Sequence, residues 1–183
     1  MMAEPSDEAP GRLELLRVLV NTLDYPDGPD ELATPDAAST WCRAQGLPAI
    51  SNQRELDRLR GFREALRAAF FSNNGGGDPQ AAWEGLRPFL RQAQFTLSLD
   101  LVRGVPALEP AGAGADRAIA IMLAIAYESV AEGTWSRMRA CRKSSCRFAY
   151  YDRSKNGSRA WCSMAVCGNR EKAHRRRTRD RAL

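Results

Sequence analysis

Hydrophobic residues recur at three- and four-residue steps through most of the chain up to Gly133, which is the pattern of amphipathic helices. One such stripe lies in residues 12–23. The longest one follows Asn52 and consists of Leu56, Leu59, Phe62, Leu66 and Phe70. Residues 117–132 are apolar on nearly every side, so the helix predicted there should be enclosed by the others. This part of the chain is therefore predicted to be mostly helical.

Polar residues mark where these helices begin and end. Thr34 precedes a proline and is a predicted N-cap, and Asn52 with Glu55 has the spacing of a capping box. Asp78 should open a further helix, which Pro88 is expected to interrupt because proline lacks a backbone N–H. The helical region is thus divided into several short helices.

A different period occurs between residues 94 and 101. Apolar and polar residues alternate there, with Phe95, Leu97, Leu99 and Leu101 on one side. Strict alternation predicts a half-buried strand. Gly104 would turn the chain so that residues 105–108 pair back, which predicts one small β-hairpin within the helical region.

The last quarter of the chain contains two cysteine pairs, each with four intervening residues: Cys141, Cys146, Cys162 and Cys167. Four thiolates suit tetrahedral zinc in a closed structural site. Disulfides are the alternative, but four of the five cysteines fall within 27 residues, whereas disulfide-stapled secreted domains are cysteine-dense throughout. We therefore predict one structural zinc ion bound by these four residues.

Two other residues have side chains that can bind zinc. His174 is an alternative zinc ligand, although it lies in an arginine-rich tail and is better explained as another polar residue there. Cys42 has no partner at motif spacing and is interpreted as a buried thiol that behaves as a small hydrophobic residue.

The order of elements around the cysteines predicts a small zinc module. Residues 148–151 form a predicted strand, Asn156-Gly157 a turn, and residues 159–161 a return to Cys162. A helix should then run from Cys167 into the basic tail. This order, a turn with one cysteine pair (the first knuckle), a hairpin, a second such knuckle and a helix, indicates a treble-clef-like module. Its folding would depend on the metal because its core is so small.

Cys167-Gly168-Asn169-Arg170, the paired cysteine spacing and the aromatic and basic residues between the pairs resemble the CGNR zinc-finger family. Residues 19–24, 32–35 and 150–156 are also similar to that family's two-part layout. The resemblance implies an N-terminal, mostly helical ABATE-type domain, described as a "putative stress-induced transcription regulator", followed by the zinc module. It also implies DNA binding.

The predicted fold class is α+β and mostly α, with a helical N-terminal domain that includes a small β-hairpin, followed by the treble-clef-like zinc module. Residues 1–11 are polar and acidic with two prolines and are expected to be disordered. Residues 12–133 form the predicted ABATE-like domain. Residues 134–183 form the CGNR-type zinc finger with its basic C-terminal helix.

The net charge of +5 is unevenly distributed. Residues 137–183 contain 15 Lys and Arg against 3 Asp and Glu, whereas residues 1–136 contain 12 against 19. A basic segment of this kind is the electrostatic footprint of a nucleic-acid partner, and a solvated tail without a partner is the alternative. The candidate phosphate contacts are Arg153, Lys155, Arg159, Arg170, Lys172, Arg175, Arg176 and Arg177.

Several residues of the zinc module have two interpretations. Phe148, Tyr150, Tyr151 and Trp161 could stack on unpaired bases, but filling the small core is the favoured role. Asn169 could read a base edge, and bonding to backbone near a thiolate is favoured instead. For Arg170 the two roles are equally supported.

The sequence lacks the signatures of common enzymes. It contains a single histidine and no H-E-x-x-H, G-x-S-x-G or P-loop motif, and four cysteines would leave a zinc ion no open position. We predict a zinc-dependent DNA-binding transcriptional regulator and not an enzyme. A zinc-stabilised protein-interaction module without direct nucleic-acid binding is the alternative.

The partners follow from the same features. Double-stranded DNA is preferred because the resemblance implies it, and RNA stays open. The helical domain would sense a small-molecule effector or a protein partner, or would hold or dimerise the zinc module. The longest apolar run, residues 118–127, is half the length of a membrane span, and the N-terminus shows no secretory signal. We therefore expect no membrane association and, with reduced cysteines, a cytoplasmic location.

Overall fold

The computed structural model describes residues 7–25, 28–100 and 105–180, without the side chains of residues 100, 105–108, 174–177 and 179–180. Within these residues the structure has six α-helices and two antiparallel two-stranded sheets. In chain order they are α1 (Glu14–Val20), α2 (Pro35–Ala44), α3 (Gln53–Asn73), α4 (Pro79–Gln92), β1 (Phe95–Asp100), β2 (Val105–Pro110), α5 (Gly114–Ala131), β3 (Met138–Ala140), β4 (Ala149–Tyr151) and α6 (Asn169–Asp180). The predicted fold class, mostly helical with small sheets, is confirmed.

The helix α3 lies at the centre of the core. Its apolar stripe is buried as predicted, and Leu59, Phe62, Leu66 and Phe70 are fully excluded from solvent. Each such side chain contributes about 1.5–3 kcal/mol through burial. The helix begins as predicted at Asn52, whose side chain accepts a hydrogen bond from the Glu55 N–H.

A buried ion pair attaches α3 to the segment between α1 and α2. The Arg63 guanidinium donates from both terminal nitrogens to the Asp30 carboxylate, at 2.6 and 3.1 Å. Asp30 also accepts a hydrogen bond from the Leu32 N–H. The side chains of Arg63 and Asp30 are only 4% and 18% exposed, so the ion pair lies mostly in the protein interior.

The predicted interruption at Pro88 is wrong. Helix α4 continues through Pro88 to Gln92. Pro88 lies on the exposed side of the helix, where water can satisfy the carbonyl that loses its intrahelical donor. Ala82 and Leu86 on the opposite side are buried and keep the helix in place.

The strands β1 and β2 pair as the predicted hairpin, with Leu97 opposite Leu108. The prediction that one face of β1 is half-buried is wrong beyond its first residue. Phe95 packs against the core, but Leu97 and Leu99 are 66% and 65% exposed. Strand β2 lies beside α5, but among the described residues no element covers these two side chains. Leu101 and Gly104 lie outside the described residues.

The predicted disorder of residues 1–11 does not extend to the part that the structure describes, which begins at Asp7. Asp7 and Ala9 are 3% and 6% exposed. The Ala9 N–H donates to the Glu14 carboxylate at 2.7 Å, and the Asp7 carboxylate pairs with Arg159. These contacts hold the segment against the body.

The two sheets differ in how they join the core. Met138, Ala140, Ala149 and Tyr151 of β3 and β4 belong to the same buried cluster as the apolar residues of α3 and α5. The hydrophobic core is therefore continuous across Gly133. None of the described helices is long and apolar enough to cross a membrane.

Candidate metal centre and nucleic-acid interface

The first cysteine pair lies at the tip of the β3–β4 hairpin. Ala140 pairs with Ala149, and the Cys141 N–H donates to the Phe148 carbonyl at 2.9 Å. A hairpin between residues 148–151 and residues 159–161 was predicted, and that prediction is wrong. The strand β4 pairs with β3 instead, and residues 159–161 form no strand. The turn between paired strands thus contains Cys141 and Cys146 themselves.

The second pair lies where an irregular segment enters the C-terminal helix. Cys162 precedes a π-helical turn, Met164–Gly168, which includes Cys167. The Ser163 hydroxyl accepts a hydrogen bond from the Val166 N–H and begins this turn. Helix α6 then starts at Asn169. The predicted continuation of a helix from the second pair into the basic tail is confirmed.

The four thiols converge on one point. Their sulfur atoms all lie within 4.8 Å of one another, and the Sγ atom of Cys162 is 3.6 Å from that of Cys146 and 3.7 Å from that of Cys167. A tetrahedron with zinc–sulfur bonds of 2.3 Å has edges of about 3.8 Å. The distances are far longer than a disulfide bond of about 2.05 Å. The donor set and its spacing fit one zinc ion.

The four thiols differ from the fifth cysteine in what surrounds them. Cys141, Cys162 and Cys167 are buried and Cys146 is half-buried, so the site is enclosed on most sides. Hydrogen bonds from Cys146 and Cys162 hold the pKa of the Cys141 thiol far below its ordinary value, whereas the hydrogen bonds to Cys141 raise the pKa of Cys146 and of Cys162. Cys42 is buried elsewhere, and burial raises its pKa to about 11, which keeps it a neutral, unreactive thiol.

Arg147 fastens the first knuckle to α3. Its backbone is left-handed, with φ of 52°, and its guanidinium stacks on the Phe71 ring at 3.4 Å from the centroid. Arg67 of α3 donates to the Arg147 carbonyl at 3.3 Å. The turn that contains Cys146 is therefore held by two residues of the helical part.

Asp152 shapes the loop between the two cysteine pairs. It is fully buried, and its two carboxylate oxygens accept hydrogen bonds from the backbone N–H groups of Ser154, at 2.9 Å, and Arg159, at 3.0 Å. Burial raises the Asp152 pKa, but these hydrogen bonds and the nearby Arg139 more than offset it, so that the pKa lies below its ordinary value. Asp152 was not among the predicted site residues, although an aspartate two residues before a serine is a recognisable local turn signal.

The structure separates the eight candidate phosphate contacts into groups. Arg153, Lys155, Arg170 and Lys172 are exposed. Arg153 donates to the Glu8 carbonyl at 3.0 Å, and Arg170 and Lys172 lie on α6. The other candidates on the tail lie on α6, as does His174, and the structure describes only the backbone of these residues. These candidates are Arg175, Arg176 and Arg177.

Arg159 is the exception among these candidates because it is turned inward. Its guanidinium lies 2.6 Å from the Asp7 carboxylate and over the Tyr150 ring, and it donates to the carbonyls of Trp161 and Cys162. The side chain is 26% exposed. It connects the N-terminal segment, the small aromatic core and the backbone of a cysteine.

The aromatic residues fill the interior, which was the favoured interpretation. Tyr150 is fully buried, and Phe148 and Trp161 pack around the cysteines, while Tyr151 joins the main core. The favoured interpretation of Asn169 is wrong. Its side chain is exposed and makes no hydrogen bond within the part of the chain that the structure describes. Asn169 is thus available at the surface, beside Arg170.

An apolar groove of about 410 Å³ lies between α3, α4 and α5. Its lining includes Trp83, Leu86, Leu123, Tyr127 and Trp135. Trp83 and Tyr127 are 51% and 65% exposed, so the groove opens to solvent. Trp135 lies in the short turn, Trp135–Arg137, that directly precedes β3, which places one end of the groove beside the zinc module.

Comparison with known protein families gives two matches. The model of the CGNR zinc finger matches residues 137–180, and the model of the ABATE domain, described as a "putative stress-induced transcription regulator", matches residues 14–133. The second match covers well over half of the chain. A search of curated proteins found no match. The layout expected from the sequence is confirmed.

Proposed function

Because the chain belongs to the family in which an ABATE domain precedes a CGNR zinc finger, we propose that it is a zinc-dependent, DNA-binding transcriptional regulator. The observation that carries the proposal is the convergence of four thiols within the most basic segment of the chain. The four cysteines support one zinc ion, and we assign Cys141, Cys146, Cys162 and Cys167 as its ligands.

The zinc ion in this proposal is structural. Four thiolates complete a tetrahedral shell, and a catalytic zinc would keep one position for water or substrate. The two matched families are a zinc finger and a regulator, neither of which is described as enzymatic. The metal would fix the knuckles and thereby the start of α6, from which the basic residues project.

The proposed DNA contacts are the exposed cations on two parts of the zinc module. Arg153 and Lys155 lie on the loop closed by Asp152, and Arg170 and Lys172 lie on α6. Three further arginines, residues 175–177, extend the same helix. Asn169 and Arg170 lie at the beginning of α6, and their exposure supports a contact with base edges. Arg159 is withdrawn from this set because it holds the loop from inside.

The test measures binding of the full chain to random duplex DNA by fluorescence anisotropy, with and without a chelator. We expect binding that needs zinc and weakens with salt, with a log-log slope near −4.5 if about five phosphates are engaged. Single-stranded DNA and duplex RNA serve as competitors that distinguish the type of nucleic acid. Binding that is independent of salt, or none tighter than about 10 μM at low salt, would refute the proposal.

A protein-interaction function is the second candidate, and the exposure of Leu97 and Leu99 favours it. Two large apolar side chains on an open hairpin are typical of a surface that another protein chain covers, including a second copy in a homodimer. Sedimentation of the wild-type chain and of a Leu97→Asp/Leu99→Asp variant distinguishes the cases. A monomeric wild type that binds no duplex DNA would point to a different protein partner.

The helical domain is proposed to sense a ligand or partner, with the apolar groove as the candidate site. The groove supports this because its lining includes both α3 and Trp135, which leads into β3. A cytoplasmic location is proposed because four zinc-binding thiolates persist where thiols are kept reduced.

A further inference from the structure

Asn74 caps the C-terminal end of α3 and is 1% exposed. Its side-chain nitrogen donates towards three acceptors: the Ala140 carbonyl at 2.9 Å, the Ala160 carbonyl at 2.9 Å and the Tyr150 hydroxyl at 3.1 Å. All three acceptors belong to the zinc module, and they are between 66 and 86 residues away along the chain. Asn74 therefore connects the central helix to the interior of the zinc module.

The two carbonyls lie on the backbone segments that carry the first cysteine of each pair. Ala140 immediately precedes Cys141, and Ala160 lies two residues before Cys162. The same segments are joined by a hydrogen bond from the Arg142 N–H to the Ala160 carbonyl, at 3.1 Å. The Asn74 amide thus spans the gap between the two halves of the metal site.

Arg142 closes the connection from the other side. Its Nε atom donates to the Asn74 carbonyl at 2.5 Å. Side chain and backbone of one helical residue are consequently both bonded to the segment around Cys141. A buried residue with this many partners has little freedom to move, and neither have the segments it holds.

We propose that Asn74 is a positioning residue of the zinc site, which sets the separation of Cys141 and Cys162 and so makes zinc affinity depend on α3. This inference rests on the proposed ligand assignment and is independent of nucleic-acid binding. Bringing four thiolates together costs conformational entropy, and a clamp that orders two of the segments beforehand reduces that cost. Groups that hold metal ligands from outside typically change affinity by about 10–100-fold when they are removed.

The chain offers a matched control in the adjacent residue. Asn73 also lies at the end of α3, and its side chain donates to the carbonyls of Trp135, at 2.9 Å, and Met138, at 3.0 Å. Neither acceptor is next to a cysteine. Asn73→Ala therefore removes two hydrogen bonds between the same two parts of the molecule and leaves the segments of Cys141 and Cys162 clamped. Asn74→Ala removes those to Ala140, Ala160 and Tyr150 and the one that its side-chain oxygen accepts from Arg139.

The experiment titrates zinc into the reduced full chain against a chromophoric chelator, for wild type, Asn74→Ala and Asn73→Ala. We expect the zinc dissociation constant to rise about 10–100-fold in Asn74→Ala and to stay within about threefold of wild type in Asn73→Ala. Equal losses in both variants, or no loss in Asn74→Ala, would overturn the proposal. A wild type that binds no zinc would instead overturn the ligand assignment.

Cobalt(II) gives a readout that a general loss of stability would not change. Cobalt bound to four thiolates absorbs through sulfur-to-metal charge transfer and through visible bands that depend on the geometry of the site. We expect altered visible bands in Asn74→Ala at saturating cobalt and wild-type bands in Asn73→Ala. If Asn74→Ala does not fold, Asn74→Ser, which keeps a shorter donor, should show an intermediate zinc affinity; wild-type affinity and spectrum in Asn74→Ser would contradict the proposal.

Discussion

Arg159 shows that a cationic residue in a basic segment can belong to the interior. Its guanidinium is shared between the Asp7 carboxylate, two backbone carbonyls and the face of the Tyr150 ring. From the sequence it was indistinguishable from Lys155, which lies on the same loop and is exposed. Among its partners Asp7 is distant in the chain, and no local pattern can reveal that contact.

Replacing these two cations should separate stability from binding. We expect Arg159→Ala to lower the free energy of unfolding by about 2–3 kcal/mol, because several hydrogen bonds to a charged group are lost. Lys155→Ala should leave stability unchanged and reduce the magnitude of the salt slope for duplex binding by about 1. Thermal unfolding and anisotropy at several salt concentrations measure the two effects. A destabilised Lys155→Ala, or an Arg159→Ala as stable as wild type, would contradict this assignment.

The ligand assignment is tested by two cysteine substitutions of the same kind. Cys162→Ser should reduce the zinc content well below one ion per chain, because the sulfur atom of Cys162 lies close to those of two other cysteines. Cys42→Ser should retain one ion, since Cys42 is buried outside the cluster. Elemental analysis of the purified proteins provides the measurement. Full zinc in Cys162→Ser would show that the metal is held elsewhere.

The metal site was largely predictable at the level of residues, because paired spacing identifies thiol ligands whatever the surrounding fold. Asp152 and Asn74 were not identified. Asp152 carries a local turn signal, but its burial depends on the packing of the module around it. The partners of Asn74 are far away in the chain, and the Asn73-Asn74-Gly75 sequence by itself indicated a helix end and nothing more.

At the level of elements, the chain shows which helical features are local and which are tertiary. Caps such as Asn52 and the stripe of α3 were predicted correctly because they depend on residues within a few positions. The continuation of α4 through Pro88 and the exposure of Leu97 and Leu99 were not, since each depends on what lies beside the element. Alternation shows that a strand has two different faces; it does not show whether anything covers the apolar one.

The connection between α3 and the segment before α2 gives a prediction about acid stability. Burial raises the Asp30 pKa, but the hydrogen bonds from Arg63 and the Leu32 N–H lower it by more than burial raises it. The folded-state pKa therefore lies below its ordinary value. The stabilisation is therefore complete above the unfolded-state pKa of about 3.9 and is lost as the pH falls through the folded-state pKa. Asp30→Asn should lose about 3 kcal/mol at pH 7, because the buried Arg63 loses the carboxylate that accepts from both of its terminal nitrogens and keeps only the more exposed Glu64 carboxylate, at 2.8 Å.

Urea unfolding at pH 7 and at pH 3 measures this contribution. The gap in unfolding free energy between wild type and Asp30→Asn should narrow at the lower pH, since only the wild type loses an ionised carboxylate there. A constant gap would mean that the carboxylate contributes through shape and not through charge.

For the molecule as a whole, the hydrophobic core extends across the boundary near Gly133 that the charge distribution suggests. The acidic helical part and the basic zinc module differ sharply in charge, and the two family matches meet near Gly133. Nevertheless Met138, Ala140, Ala149 and Tyr151 are buried among residues of the helical part. The proposed division at residues 133 and 134 thus separates two sequence units that share one interior.

A fragment that begins at Thr134 should consequently fail to fold even with saturating zinc. It would expose Met138 and Tyr151 and lose the hydrogen bonds of Ala149 with Asn21, at 2.8 and 2.9 Å. Circular dichroism and the dispersion of amide signals in NMR spectra, recorded with zinc, would show this. A well-folded fragment would mean that the metal organises the module without the helical part.

The shared interior also has a consequence for the way the protein is made. The residues of α3 are synthesised long before Cys141 and Cys162. Asn74, Asn21 and Phe71 are therefore present in the nascent chain before the zinc ligands are. The residues of the zinc module can then pack against the helical part as they are synthesised, and zinc binds to ligands that are already close together. We therefore expect metal loading to be a late step of folding, and we expect chains with a damaged helical core to bind zinc less tightly.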